Sequence, residues 1–343
     1  MRAVVYRGPG KVVVEDVPKP KVKPNDLLVR VKAAGICGTD LELVRGNRPD
    51  VTPPRIPGHE ASGDVVEVGA GASKFRVGDR VVVEPILSCE RCRNCVVGRY
   101  NICRELKFMG VHADGAFAEF LTIPEHRAYK IPGTLPYDVA TILEPTAVGV
   151  HIVTRAQISL GDKVVILGAG PIALQVAQVA KRRGASYIIM TDVLDHRLRL
   201  AKKLAADVVV NVSREDPRQT VSQATDGEGA DVVIEVVGKS ETILQTMDLV
   251  RMGGRILIAG ISVERFVTDP PTFWMKQLLK EVTIDTSRSY GAGNWLSAIE
   301  LASRGYINLE ALISHRFRLE EASRAFEVAD KKLENSVKVL FTP

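Results

Sequence analysis

The chain is 343 residues long, 45% hydrophobic and 25% charged, with a formal net charge of +5. That length suits two domains, and the balance is that of a globular protein able to bury a sizeable core rather than of a disordered or fibrous chain. The small cationic excess, without any basic block interleaved with aromatics, argues against nucleic acid as a partner. No apolar run approaches the ~18–20 residues of a membrane span and residues 1–10 lack a signal-peptide core, so the expectation is a cytoplasmic protein with no membrane association.

The first third is a series of short β-prone runs punctuated by Gly and Pro, at 3–6, 12–17, 27–33, 64–68, 80–84 and 117–123. Turn signals such as Val77-Gly78-Asp79 separate them, and helical periodicity is scarce, which predicts an irregular antiparallel β-domain. The pattern changes after Leu160-Gly161-Asp162. Residues 163–167 form an apolar, β-branched run suited to a strand buried on both faces. A Gly-rich turn follows, and 171–183 then spaces Ile172, Leu174, Val176, Val179 and Ala180 along one helix face before Gly184 stops it. A strand at 187–191, a helix at 194–205, and strands at 208–211, 231–237, 255–260 and 281–286 continue the alternation, with helical stretches between the earlier ones. Such βα units of ~30 residues predict an α/β fold, a doubly wound parallel sheet of the Rossmann type with helices on both faces. An amphipathic stretch at 296–303 and a strand at 337–341 read as a return to the first domain. The expected organisation is a β-rich domain over 1–150, an α/β domain over 151–286 and the returning segment over 287–343.

Gly168-Ala169-Gly170-Pro171-Ile172-Ala173 sits between the first strand and first helix of the α/β part. Gly168 permits the tight turn, Gly170 lets the backbone approach a pyrophosphate, and Ala173 is small enough for close strand–helix packing. The helix N-terminus at Pro171 and Ile172 offers free N–H groups to phosphate. Asp192 closes the next strand at about the ~20-residue distance where a carboxylate accepts from the ribose hydroxyls of NAD and repels a 2′-phosphate. A helix N-cap is the other role open to Asp192. Arg197, placed to stack near an adenine or to reach a 2′-phosphate, leaves NADP open.

Four of the five cysteines fall in one loop, as Cys89-x2-Cys92-x2-Cys95-x7-Cys103. In a long chain with no sign of export this spacing points to metal rather than disulfides. Four thiolates make a closed tetrahedral zinc site with no position left for substrate, so a zinc in the lobe 88–104 is expected to be structural. Arg91, Arg93, Arg99 and Arg104 around it favour thiolate over thiol. A second set is dispersed: Cys37 in Gly-Ile-Cys-Gly-Thr-Asp, His59-Glu60 after Gly58, and Glu144-Pro145. Thiolate, imidazole and carboxylate are the mix found at catalytic zinc sites, but sequence distance alone does not join them.

Taken together, Cys-Gly-Thr-Asp, Gly-His-Glu, the four-cysteine lobe, Gly-Ala-Phe-Ala-Glu-Phe at 115–120, Glu-Pro and the Gly-Ala-Gly-Pro turn resemble, in order and over essentially the whole chain, the zinc-dependent medium-chain alcohol dehydrogenases. The branch most similar is that of the sorbitol (polyol) and threonine dehydrogenases, on Glu60 after His59, Val83-Glu84-Pro85 and the run from Glu144 to His151. The resemblance implies a β-rich catalytic domain like a chaperonin-10 barrel beside the nucleotide domain, assembled as homotetramers or homodimers. It implies that Cys37 and His59 bind a catalytic zinc, completed by Glu60 and Glu144 directly or through water. Thr39 then relays the substrate's proton and Asp40 orients the ligand histidine. The expected cofactors are two Zn2+ per chain and NAD, and the expected partner is a small secondary alcohol. Arg288-Ser289-Tyr290 departs from the Arg-Tyr pair common in polyol enzymes, which implies an altered substrate pocket.

Overall fold

The computed structural model describes residues 1–261, 270–291 and 293–343. The chain divides into two compact units, one made of 1–144, 291–305 and 309–343, the other of 145–290 and 306–308.

The first unit is built on a seven-stranded sheet whose long central strand, Asp26–Gly35, pairs with three neighbours. It runs antiparallel to Glu60–Val68, to Phe120–Pro124 and to Lys338–Phe341. At its end, Gly35 lies opposite Glu60 on one side and Leu340 on the other. Residues directly opposite share a face of the sheet, and so do residues two apart on one strand. The register therefore sets Glu60 and Lys338 on the same face, flanking a position that carries no side chain. Val29, Val31, Phe117, Phe326 and Phe341 fill the core below. Phe117 meets Phe341 edge to face, with ring centroids 4.9 Å apart, and Phe326 at 6.0 Å.

The second unit is a parallel sheet of six strands: Lys163–Leu167, Tyr187–Asp192, Val208–Asn211, Ala230–Glu235, Val250–Ile258 and Thr283–Thr286. Numbered one to six along this sheet, their spatial order is three-two-one-four-five-six, the doubly wound Rossmann arrangement expected from the alternating pattern. Its core gathers Val165, Ile189, Val233 and Ile256.

Three local expectations shift. The strand expected from 117 starts at Phe120: Phe117 donates its N–H to Pro57 O and accepts from Val4 N instead, while the Glu119 carbonyl still takes Val31 N of the central strand. The strand expected to reach 237 ends at Glu235, whose carboxylate takes the N–H groups of Val237 and Gly238, both at 2.8 Å, and turns the chain. The β-rich third also holds a short helix, Gly38–Val44, and the stretch after it opens a longer one, Leu143–Arg155, with Glu144 in its first turn. Gly and β-branched residues mask that helix in the sequence; Pro145, a good first-turn residue, was the available signal. Among the described residues no helix is long and apolar enough to cross a membrane.

Truncating Phe341 removes the ring that seats the last strand on the core. Phe341→Ala is expected to cost about 3–5 kcal/mol, the usual penalty for emptying a buried aromatic site, read as a fall in the chemical denaturation midpoint of the first unit.

Candidate metal centres and nucleotide turn

Asp40 organises the first site. Its carboxylate is fully buried in the opening turn of helix Gly38–Val44. Oδ2 accepts from the backbone N–H of Cys37 at 2.9 Å and Oδ1 from that of Gly58 at 3.1 Å. Two loops far apart in sequence are thus fastened to one carboxylate, and their next side chains, Cys37 and His59, face one another. Gly58 has φ +92°, and a Cβ there would overlap the ring of Phe117, so only glycine serves. His59 Nδ1 lies 3.6 Å from Asp40 Oδ1, an ion-pair distance too long for a hydrogen bond, and the imidazole packs edge-on against Phe108.

The ligand atoms of Cys37, His59 and Glu60 all lie within 4.8 Å of one another. An ion bonded at ~2.0–2.3 Å to such atoms needs them ~3.3–3.8 Å apart, so a small inward rotation closes the set on a metal. Burial alone would push the His59 pKa down, but the charges of Asp40 and Cys37 reverse this and raise it well above the usual value. The pocket is electronegative and stabilises a cation. Thr39 is half-buried, with its Oγ1 4.0 Å from Cys37 Sγ. Glu144 is buried but stands outside the three-residue group. Arg45 and Arg48 are paired with nearby carboxylates, Arg45 with Glu42 and Asp330 and Arg48 with Asp50. Arg288 is exposed and Tyr290 fully buried.

One charged residue escaped the sequence reading. Lys338, 3% exposed, donates from Nζ to Glu60 Oε1 at 2.5 Å and to Ile36 O at 3.1 Å. Burial lowers its pKa, but Glu60, Cys37 and Glu144 together raise it above the normal lysine value, so the ammonium is charged. The signal was a lone lysine inside the otherwise apolar run Val337–Phe341, a charge that cannot be buried without a partner.

The second set is local. The four sulfurs of Cys89, Cys92, Cys95 and Cys103 cluster at one end of the lobe, with Cys92–Cys95 at 3.4 Å and Cys89–Cys95 at 4.0 Å. Those separations bracket the ~3.8 Å edge of a tetrahedron with ~2.3 Å metal–sulfur bonds. The backbone N–H groups of Arg104 and Cys95 draw the Cys92 thiol down to about 6, while burial and the neighbouring sulfurs push Cys95 up to about 12. Such a gathering cannot ionise fully without a cation among the sulfurs, and the set fits one. Beneath it lies a buried network that the sequence reading also missed. Arg127 donates to Glu84 Oε1 at 3.0 Å and to Ser88 Oγ at 2.6 Å, Tyr129 donates to Glu84 Oε2 at 2.9 Å, and the Arg127 guanidinium covers the Tyr100 ring.

In the second unit, Gly168 has φ +107°, and Gly170 is the N-cap of helix Pro171–Arg183 with no side chain capping it. Pro171 takes the first helical position and Ile172 the next, so the turn ends in an open helix N-terminus. Asp192 Oδ2 accepts from Ala169 N at 2.8 Å, and Oδ1 from Val193 N at 2.8 Å and Leu194 N at 3.0 Å. The acid thereby pins the glycine turn to the end of the second strand. Arg197 is largely buried near Asp192, its pKa lowered by burial and partly restored by that carboxylate, and it lies close to Gly170.

Residues 23–133 match the family model described as alcohol dehydrogenase GroES-like domain, and residues 171–304 the one described as zinc-binding dehydrogenase. The chain is 32% identical to sorbitol dehydrogenase of Bacillus subtilis, over 100% of the chain and 97% of that protein. It is 35% identical to L-threonine 3-dehydrogenase of Rhizobium etli, over 92% and 90%. The crystal structure of galactitol-1-phosphate dehydrogenase from Escherichia coli superposes with a TM-score of 0.93 at 28% identity, covering 100% of both chains.

The Glu84–Arg127 pair gives a test of the lobe's foundation. Arg127→Met leaves a buried carboxylate uncompensated and is expected to destabilise the protein by about 3–5 kcal/mol. The double variant Glu84→Gln with Arg127→Met should recover much of that loss in the same denaturation measurement.

Proposed function

The chain belongs to the zinc-dependent medium-chain dehydrogenases, and from that premise we propose that it oxidises a vicinal diol or polyol at a secondary carbinol and passes the hydride to NAD. The catalytic zinc in this reading is held by Cys37, His59 and Glu60, with Glu144 close by, and a second, structural zinc by Cys89, Cys92, Cys95 and Cys103. The observation that supports the substrate class is the polar, charged character of the buried site: Glu60, Glu144 and Lys338 are each at most 4% exposed. A site lined by buried polar groups favours a substrate that brings a second hydroxyl over a simple alcohol, by up to ~10⁴-fold or more where the site is built to bond that hydroxyl.

When bound, zinc supplies Lewis-acid polarisation of the alcohol oxygen and the nicotinamide supplies the hydride acceptor. The chain's own residues do the positioning. Asp40 holds the Cys37 and His59 loops in register through backbone bonds. Thr39 Oγ1, beside the Cys37 sulfur, is the hydroxyl placed to take up the substrate proton and hand it towards water. The open N-terminus at Gly170, Pro171 and Ile172 receives the cofactor's pyrophosphate, with Gly168 shaping the turn. Asp192, braced by three backbone N–H groups, sets a carboxylate where a 2′-phosphate would come, and Arg197 lies close to the same turn.

Metal analysis should find two zinc ions per chain, one lost quickly to a chelator together with turnover and one retained; a single ion in carefully prepared protein contradicts the assignment. Cys37→Ala and His59→Ala should abolish turnover and leave NAD binding close to wild type. In a comparison of kcat/KM across sorbitol, 2,3-butanediol, galactitol 1-phosphate, threonine and ethanol, a diol or polyol should lead. Ethanol in first place overturns the polar-site argument, and threonine in first place moves the chain to the other named relative. Asp192→Asn should raise the NADP-to-NAD ratio of kcat/KM, and a wild-type preference for NADP would count against the role given to Asp192.

A further inference from the structure

We infer that Lys338 is a positioning residue of the catalytic metal centre: it grips one oxygen of Glu60 and the backbone leading into Cys37, and so presents the other Glu60 oxygen to the ion. The inference rests on the zinc reading above and concerns how the ligand set is held.

The sheet register makes the meeting unavoidable. Glu60 and Leu340 stand opposite Gly35 from its two sides, and Lys338 shares the face of Leu340. With no side chain at Gly35, the lysine reaches across the central strand to the carboxylate. Its Nζ lies 2.5 Å from Glu60 Oε1 and 3.1 Å from the carbonyl of Ile36, the residue before Cys37. One ammonium thus ties together the side chain of one ligand and the backbone of another. The remaining oxygen, Oε2, is buried and has no hydrogen-bond partner among the described residues. A pair that served stability alone would leave no buried carboxylate oxygen unsatisfied, because such an oxygen is costly. Here the free oxygen belongs to a carboxylate already gathered with Cys37 Sγ and His59.

Gly35 closes the arrangement from beneath. A Cβ at that position would overlap Glu60 Oε2 and approach Lys338 Cε to 3.1 Å. The carboxylate is confined between the ammonium, the bare backbone of Gly35 and the metal ligands. The Lys338–Glu60 ion pair is itself almost wholly buried, with the two side chains 3% and 0% exposed. With Lys338 replaced by an apolar residue, Glu60 loses its fixed orientation, and its ordering must then be met on metal binding.

The test uses the full chain loaded with zinc, and in parallel with cobalt(II), whose visible spectrum reports its ligands. Lys338→Met should release the labile ion to a chelator about 10–100-fold faster than wild type, as loss of a group that orients a ligand generally does. The ion of the four-thiolate lobe should leave at the wild-type rate, and the cobalt bands of the labile site should shift. In a Glu60→Gln background, Lys338→Met should have a much smaller effect, limited to the lost bond to the Ile36 carbonyl, because the lysine acts mainly through that carboxylate. Unchanged release and spectrum in Lys338→Met overturn the inference, as does an equal effect in both backgrounds. Should Lys338→Met not fold, Gly35→Ala asks the same question with the lysine intact: it should displace the Glu60 oxygen and reproduce the faster release, and wild-type release from a folded Gly35→Ala protein overturns the inference. Failure of the zinc reading looks different, since wild-type protein would then hold no labile ion at all.

Discussion

The two backbone hydrogen bonds accepted by Asp40 are the constraint on which the first site depends. They join the turn at Cys37 to the loop at Gly58 and so hold Cys37 and His59 facing one another. A carboxylate bonded by N–H groups in a buried setting is worth about 1.5–3 kcal/mol per bond, enough to hold two loops against their conformational freedom. The clamp works only because its surroundings yield to it. Gly58 adopts a backbone that a side chain would forbid, and Phe117 packs into the space where that side chain would be. Phe117 in turn stands on Phe341, so the aromatic core, the last strand and the ligand loops form one mechanically connected piece.

Where chemistry is local, the sequence could be read almost directly. The four cysteines, the glycine turn and the alternation of strands and helices are all carried by short spacings, and the strands at 163–167 and 208–211 and the helix at 171–183 lie where that pattern places them. The dispersed ligand set is different. Cys37, His59 and Glu60 could be written down as a candidate group, but it takes the sheet register and the Asp40 bonds to bring them within reach of one another. Lys338 was only half legible for the same reason: the apolar run around it signals a buried charge in need of a partner, but that partner is 278 residues away. The Glu84–Arg127–Tyr129 network escaped because Glu84 lies 43 residues from Arg127 and 45 from Tyr129, and nothing local to any of them names its partner.

Asp192 shows how a motif residue carries more than the motif assigns to it. An acid at the end of the second strand invites a reading in terms of ribose alone. Its three backbone bonds make it also a brace for the glycine turn, which explains why a charged side chain is tolerated where it is partly enclosed. Both oxygens accept in the brace, so an amide keeps the shape but turns its NH2 group toward at least one backbone donor. Substitutions at this position therefore change loop geometry and electrostatics together.

The contrast between the two cysteine-bearing sites extends to the order in which they are made. The lobe has all its sulfurs once residue 103 has been synthesised, and its ligands are neighbours in the chain. The Cys37–His59–Glu60 group has its own side chains by residue 60, yet the ammonium that grips Glu60 belongs to a strand translated 278 residues later. At ~5–20 residues per second, that gap is roughly 14–56 s. During it the nascent chain holds all four lobe cysteines but a Glu60 that Lys338 does not yet grip: the lobe has its side chains early in synthesis, and the Cys37–His59–Glu60 group gains its ammonium only as the strand Lys338–Phe341 docks.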